Sequence, residues 1–389
     1  MLQLLNADLI TPYQIKKANL LIDNKKIISI DNSVHHDAET IDLTDKYIAP
    51  GFIDIHLHGG GGADLMDGDV DSILKIAESH IKYGTTSFYP TTLTAKDEEL
   101  FELFDNLEIA ISKNKKGAQI MGLHLEGPYL SANQKGAQDE RFLKKPIAEH
   151  YKKIIKSSDY IARVTAAPEI PGALELASFL QKKGIIASIG HTDAEYQDML
   201  RALEHGYSLL THFYSGMSSL KRVNGSRVLG AVESGYLFDE FNVEIIADGY
   251  HLPPELLKLI YKIKGADSIV LVTDAMRAAG MPEGKSILGS LENGIEVIIE
   301  DGVAKMPDRQ AFAGSVATMD RLVRNMIKLA DVPLTEAVKM ATLTPAKIMG
   351  IADKKGTISE GKDADLVILN KELEVESVIV EGNIRYQKK

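Results

Sequence analysis

The sequence predicts an α/β fold, a (β/α)8 TIM barrel carrying a small β-sandwich domain built from both chain ends. Three observations point there. From Gly51 onward, eight short apolar runs alternate with helix-length segments, the pattern of βα units around a parallel sheet. His56, His58, Glu126, His191, His212, Asp248 and Asp274 fall near the C-terminal ends of those runs, where a barrel builds its site. Both chain ends, by contrast, carry short β-patterned runs.

Taken in order, residues 1–48 hold β-patterned runs over 2–5, 18–22, 26–30 and 40–43, separated by Pro12, Asn24 and Asn32. The barrel strands are expected over 52–58, 85–92, 119–126, 161–168, 185–191, 208–214, 243–248 and 268–274. Helical spacing fills 70–83, 171–183 and 194–205, with Gly84, Gly184 and Gly206 placed as C-caps. After the eighth strand, 294–306 reads as a hairpin around Asp301-Gly302, and 319–330 and 335–349 as amphipathic helices. From Gly356 the β pattern returns at 365–369, 377–380 and 383–386, placed to pair with the N-terminal sheet. The expected division is therefore 1–48 with 356–389 for the small domain, and 49–355 for a metal-dependent hydrolase barrel.

With 389 residues, a net charge of −11 and a quarter of its residues charged, the chain has the makings of a large globular core. The acidic balance argues against a nucleic-acid partner, so an anionic substrate would need a small local basic cluster. No cysteine is present, which removes disulfides, thiolate ligands and Cys nucleophiles, and leaves His, Asp and Glu to hold any metal. The N-terminal stretch lacks a basic segment followed by a sustained apolar run, and no segment is long enough to span a bilayer. A cytoplasmic protein with no membrane partner is expected.

The chemistry starts at Pro50-Gly51-Phe52-Ile53-Asp54-Ile55-His56-Leu57-His58-Gly59. In this β-forming run, the period of two puts Asp54, His56 and His58 on one face, so two imidazoles can grip one cation. A lone strand histidine is usually a packed, hydrogen-bonded residue, but a pair is harder to account for that way. Glu126 ends another apolar run, and a buried carboxylate needs a partner or a metal. Alternation also turns His124 inward as a rival ligand. His191 and His212 repeat the arrangement on two further strands. Asp274 has no basic neighbour in its strand and an apolar approach, which suits a general base that later returns the proton, although a ligand or a partner to a histidine remains an alternative. A cation here lowers a water pKa towards about 7, so the implied reaction is metal-assisted hydrolysis of an amide or similar bond. Imidazole and carboxylate donors suit zinc, iron, manganese or cobalt.

The 50–59 run, together with Gly361-Lys362-Asp363-Ala364-Asp365-Leu366-Val367, resembles the amidohydrolase superfamily at both chain ends. Within it, Gly122 to Pro128, Gly190-His191-Thr192, Ala247 to His251, Leu271 to Ala278 and Ala313-Gly314-Ser315 resemble the N-acetylglucosamine-6-phosphate deacetylase family along nearly the whole chain. The resemblance implies hydrolysis of N-acetyl-D-glucosamine 6-phosphate to D-glucosamine 6-phosphate and acetate by metal-bound hydroxide, with Asp274 as general base and acid. It implies Glu126, His191 and His212 as the principal metal ligands and His56 and His58 as a second metal position. Many superfamily branches use a carboxylated lysine on the fourth strand; 161–169 contains no Lys, and Glu126 takes that role. The same resemblance implies one or two divalent ions per subunit, zinc or iron, a small amino-sugar phosphate as substrate, and a homodimer. His251 resembles a residue that meets the phosphate and sugar oxygens, and Arg222, with Arg227 as the alternative, is nearest to a phosphate-binding Arg. Substrate-contacting positions depart from the family pattern at Ser215 and Gly216, where His-x-x-Asn-Ala-Met is usual, and at Gln138, where many members carry His. The alternatives implied are a deacetylase of another N-acetyl amino-sugar phosphate, such as the galactosamine epimer, or a non-catalytic sugar-phosphate sensor.

Overall fold

Apolar strands that cannot face water on either side need helices over one face and each other across the other, and the chain meets that need with a curled parallel sheet. The computed structural model describes residues 1–388 of the chain. In chain order the parallel strands are Phe52–Leu57, Thr85–Pro90, Leu123–Glu126 with the short Gln119–Ile120 before it, Ile161–Ala166, Ile186–Ile189, Tyr207–Leu210, Asn242–Ile245 and Ile269–Leu271. Each pairs in parallel with its sequence neighbour, except that the second meets Leu123–Glu126 through a bridge between Thr91 and His124. A further parallel bridge, Leu57 with Ala275, brings the first strand to the end of the eighth.

The helices follow from amphipathic spacing. Val70–His80 buries Ile73, Ile76 and Ala77, and starts where the Asp69 carboxylate accepts from the Ser72 amide. Gly84, Gly184 and Gly206 all take left-handed φ at helix ends, as the spacing predicts. Met319–Ala330 spans the expected range, whereas 335–349 is two helices, Leu334–Met340 and Leu343–Ile348. The break falls at Thr342, with φ −135° and ψ −78°, and Pro345 then sits in the first turn, where its missing N–H costs no helical bond. The expected hairpin is present as Ile295–Glu300 and Val303–Lys305, but Gly284–Leu288 adds a third antiparallel strand. That strand is short and starts with glycine, so no periodicity announces it.

Both chain ends contribute to one further sheet. Its order is Asn383–Gln387, Val375–Val380, Leu366–Leu369, Tyr47–Pro50, Leu2–Ile10, Ile15–Asp23, Lys26–Asp31, with Glu39–Asp42 pairing off Leu2–Ile10. The two ends meet where Leu366–Leu369 runs antiparallel to Tyr47–Pro50. Leu4, Leu9, Leu20, Ile22, Ile48, Leu366, Ile368 and Ile379 form a core of its own. Among the described residues no helix is long and apolar enough to cross a membrane.

Candidate active site and metal centre

The parallel strands end together, and at that rim the chain turns polar. Asp54 and His56 lie within Phe52–Leu57 and His58 one residue beyond it; Glu126 closes Leu123–Glu126. The other three lie past their strands rather than on them: His191 follows Ile186–Ile189, His212 follows Tyr207–Leu210 and Asp274 follows Ile269–Leu271. The sequence runs placed them inside longer strands. At these positions the chain leaves the extended conformation altogether: His191 (φ 49°), His212 (φ 32°) and Asp274 (φ 47°) all adopt left-handed backbone. Such a residue costs about 1–3 kcal/mol and persists where its surroundings hold it. Here the Asp274 amide donates to the His56 carbonyl (2.9 Å), and its own carbonyl accepts from the Ser315 amide (2.8 Å). The effect is to swing three side chains inward over the strand ends.

Glu126 is the hub. Its Oε1 lies 2.9 Å from His212 Nε2, 3.2 Å from His191 Nε2 and 3.6 Å from His56 Nε2, and its Oε2 lies 3.4 Å from His58 Nε2. Asp274 Oδ1 stands 3.1 Å from His58 Nε2 and 3.5 Å from His56 Nε2. Two groups that could each hold a metal ion therefore share one carboxylate: His56, His58 and Glu126, and Glu126, His191 and His212, all buried.

The donor set fits a cation on grounds of hydrogen bonding. Nδ1 of His58 donates to the Thr91 carbonyl (3.0 Å), that of His191 to the Gln134 carbonyl (2.8 Å) and that of His212 to the Ser215 carbonyl (3.1 Å). A carbonyl can only accept, so each Nδ1 carries a proton, and the tautomer this selects is the one that leaves Nε2, the nitrogen turned toward the carboxylates, free to bind a cation. His191 and His212 even point Nε2 at Nε2, 3.2 Å apart, and His56 Nε2 is buried with no hydrogen-bond partner. Lone pair facing lone pair is repulsive unless positive charge sits between them. Burial pushes the His56 imidazolium down, but the Glu126 and Asp274 carboxylates outweigh it and raise the group to about 10. Against the same burial, His56, His191 and His212 hold the Glu126 carboxyl well below its ordinary range, and His56 and His58 lower Asp274. The carboxylates thus make the cluster favourable to positive charge.

His124 stands apart from this set. Its Nδ1 meets Thr91 Oγ1 (3.1 Å) and its Nε2 meets Thr165 Oγ1 (2.7 Å), so both ring nitrogens are engaged beneath the rim. Gln138 is buried; its Oε1 accepts from the Thr94 amide and its Nε2 donates to Glu126 Oε2, each at 2.8 Å. A cavity of about 230 Å³ opens over the cluster, with His58, Glu126, His191, His212 and Asp274 in its floor and Gln138, Ser215, Gly216 and His251 in its walls. Leu93, Leu288 and Phe312 make it apolar on one side. His251 is aimed by Asp248, whose carboxylate lies 2.8 Å from its Nδ1, and packs on Phe312. Among the described residues the lining contains no Lys or Arg. Arg222 and Arg227 instead face each other across an exposed hairpin, Lys221–Val223 and Ser226–Val228, and Lys221 pairs with Glu195 at 2.8 Å.

Gly216 has φ 57°, and a Cβ there would come within 3.0 Å of His191 Nδ1 and 3.1 Å of the Gln134 carbonyl. Gly216→Ala is therefore expected to force apart the bond that sets the His191 tautomer. Loss of an outer partner of this kind weakens metal binding by roughly 10–100-fold, measurable by competition with a chelator. An unchanged affinity would show that the Gln134 carbonyl is dispensable.

The carbonyls of Thr91, Gln134 and Ser215 and the Arg163–Glu244 pair below the cluster escaped the sequence reading. The pair did leave a signal there: Glu244 is an acid between Val243 and Ile245, and Arg163 a base between Ala162 and Val164, each in an otherwise apolar run.

Comparison with known proteins bears on the same residues. A model of the amidohydrolase family matches residues 47–385. The chain is 36% identical to N-acetylglucosamine-6-phosphate deacetylase of Lysinibacillus sphaericus, over 93% of this chain and 92% of that one. It is 35% identical to N-acetylgalactosamine-6-phosphate deacetylase of Escherichia coli O157:H7, over 87% and 88%. Its structure matches the crystal structure of N-acetylglucosamine-6-phosphate deacetylase from Pasteurella multocida with a TM-score of 0.92 and 31% identity, covering all of both chains.

Proposed function

The chain belongs to the amidohydrolase family, and on that premise we propose that it hydrolyses N-acetyl-D-glucosamine 6-phosphate to D-glucosamine 6-phosphate and acetate. The observation that carries the reading is the placement of Asp274: an acid held deprotonated, 3.1 Å from one ligand imidazole, facing the same small cavity as Glu126, His191 and His212. We read the curled sheet as a (β/α)8 barrel over 49–355 and the two-ended sheet, 1–48 with 356–389, as a small β-sandwich domain. The compartment is read as cytoplasmic.

Glu126, His191 and His212 would hold the principal divalent ion, and His56 and His58, with Glu126, a second; zinc or iron suits this set. When bound, the cation supplies Lewis acidity, polarising the acetamide carbonyl and acidifying water. The remaining work falls to the protein. Asp274 takes a proton from the attacking water as the new C–O bond forms, and returns it to the nitrogen as the C–N bond breaks, leaving the free amine and acetate. Gln138 keeps Glu126 oriented through its 2.8 Å bond, and Leu93, Leu288 and Phe312 limit bulk water. His251, steered by Asp248, would meet the sugar and phosphate oxygens beside Ser215 and Gly216.

A phosphate dianion needs more positive charge than this lining offers. Arg222 and Arg227, on their exposed hairpin, suit a reach into the cavity of a second copy, so a homodimer is the proposed working form. Arg222→Ala is expected to raise KM for the 6-phosphate sugar by about tenfold or more, in line with a charge-assisted contact, while sparing weak turnover of unphosphorylated N-acetylglucosamine. Equal effects on both, or full activity from a monomer at nanomolar concentration, would place phosphate recognition elsewhere.

The deciding assay is acetate release by the purified, metal-loaded protein. Side-by-side kcat/KM on the 6-phosphates of N-acetylglucosamine and N-acetylgalactosamine tests the sugar, because one curated relative carries N-acetylgalactosamine 6-phosphate in its name. A preference for the N-acetylgalactosamine compound would overturn the substrate assignment and leave the chemistry intact.

A further inference from the structure

Beneath the ligand cluster lies a buried ion pair that packing does not call for. Glu244, in Asn242–Ile245, and Arg163, in Ile161–Ala166, are both fully buried. Replacing such a pair with apolar residues is often neutral or stabilising, so its presence points to a task other than stability. Arg163 is fully used: it donates to Glu244 Oε1, to Ser188 Oγ and Thr211 Oγ1 at 2.8 Å each, and to the Ile55 carbonyl at 3.2 Å. That fixes the Glu244 carboxylate with its second oxygen turned upward. Oε2 there accepts from His56 Nδ1 and from the His212 amide, both at 3.2 Å.

The contrast among the four histidines is what matters. His58, His191 and His212 rest their Nδ1 on neutral backbone carbonyls, and His56 alone rests on a carboxylate. A carboxylate behind an imidazole fixes the tautomer more firmly and makes the opposite nitrogen a better donor to a cation. His56 is also the ring whose Nε2 has no hydrogen-bond partner. Neither Glu244 nor Arg163 lines the cavity, so any influence on the reaction passes through the ligands.

We propose that Glu244, clamped by Arg163, is the positioning residue that makes His56, His58 and Glu126 a metal position in its own right, distinct from the one formed by Glu126, His191 and His212. The proposal rests on the metal-centre reading above but not on the identity of the sugar.

The test is stepwise titration of the chelator-stripped full-length protein with Zn²⁺, followed by calorimetry and elemental analysis. The unsubstituted protein binds two ions per chain in two resolvable steps. Glu244→Asp keeps an anion beside Arg163 but falls one methylene short of His56, while His212 retains the Ser215 carbonyl. It weakens one step by about 10–100-fold and leaves the other nearly unchanged. In a His56→Ala background the same substitution has no further effect on zinc binding. Should Glu244→Asp not fold, Arg163→Gln with Glu244→Gln removes both buried charges together and is read in the same way. Equal weakening of both steps, weakening of neither, an undiminished effect without His56, or a single ion per chain in the unsubstituted protein would overturn the proposal. Because ion binding is the readout, absence of deacetylase turnover counts only against the substrate reading.

Discussion

Asp274→Asn is expected to fold, to keep its metal and to bind substrate with nearly unchanged KM, yet to lose about 10²–10⁴ of kcat, the range that general acid–base steps supply. The fold should tolerate the change because Asp274 is set by its backbone, with its amide on the His56 carbonyl and its carbonyl under the Ser315 amide. An amide has the same shape as the carboxylate, but it can neither accept the proton from water nor deliver it to the leaving nitrogen. Steady-state kinetics of acetate release, with circular dichroism as the check on folding, reads the result. A loss smaller than about tenfold would remove Asp274 from proton transfer.

Chelation is expected to abolish turnover, and His191→Ala or His212→Ala to lower bound metal and rate together. Each ring offers Nε2 within 3.2 Å of the Glu126 carboxylate from a pre-set tautomer, so each truncation removes a donor outright. The fall in affinity should exceed the roughly 10–100-fold that follows loss of an outer partner. Since the cation binds the folded chain, added metal should also raise Tm in the parent more than in either variant. His56→Ala, in contrast, should strip only the ion of its own group. Full activity in metal-free protein would end the metallohydrolase reading, and loss of all metal from His56→Ala would mean that the principal ion is held differently.

The histidines and carboxylates of the cluster were legible because each closes an apolar run, and alternation along a strand is a local property that neighbouring side chains impose. His56 and His58 are the clearest instance: two residues apart, they share a face in any register. The two-ended sheet was legible for the same reason, although Tyr47–Pro50, four residues at a turn in the chain, gave no pattern to read. The split of 335–349 at Thr342 was legible but missed: the amphipathic stripe continues across it, yet Pro345 lacks the N–H that would bond the Ala341 carbonyl and its ring crowds that carbonyl, so the helix ends there and restarts.

The eight parallel strands, the cysteine-free donor chemistry and the acidic balance were thus determined by the sequence on its own, since each depends on residue type and on spacing of a few positions. Which nitrogen each imidazole presents was decided only by the tertiary structure. The Gln134 carbonyl that orients His191 lies 57 residues away, the Thr91 carbonyl under His58 lies 33 away, and Glu244 lies 188 residues from the His56 it supports. The same holds for Glu126, which becomes the shared hub only once four histidines from three other strand ends converge on it, and for Arg222 and Arg227, whose hairpin carries them out of the cavity. Hydrogen bonds form over about 3 Å, and separations that short between distant residues exist only after the sheet has curled and brought its strand ends together.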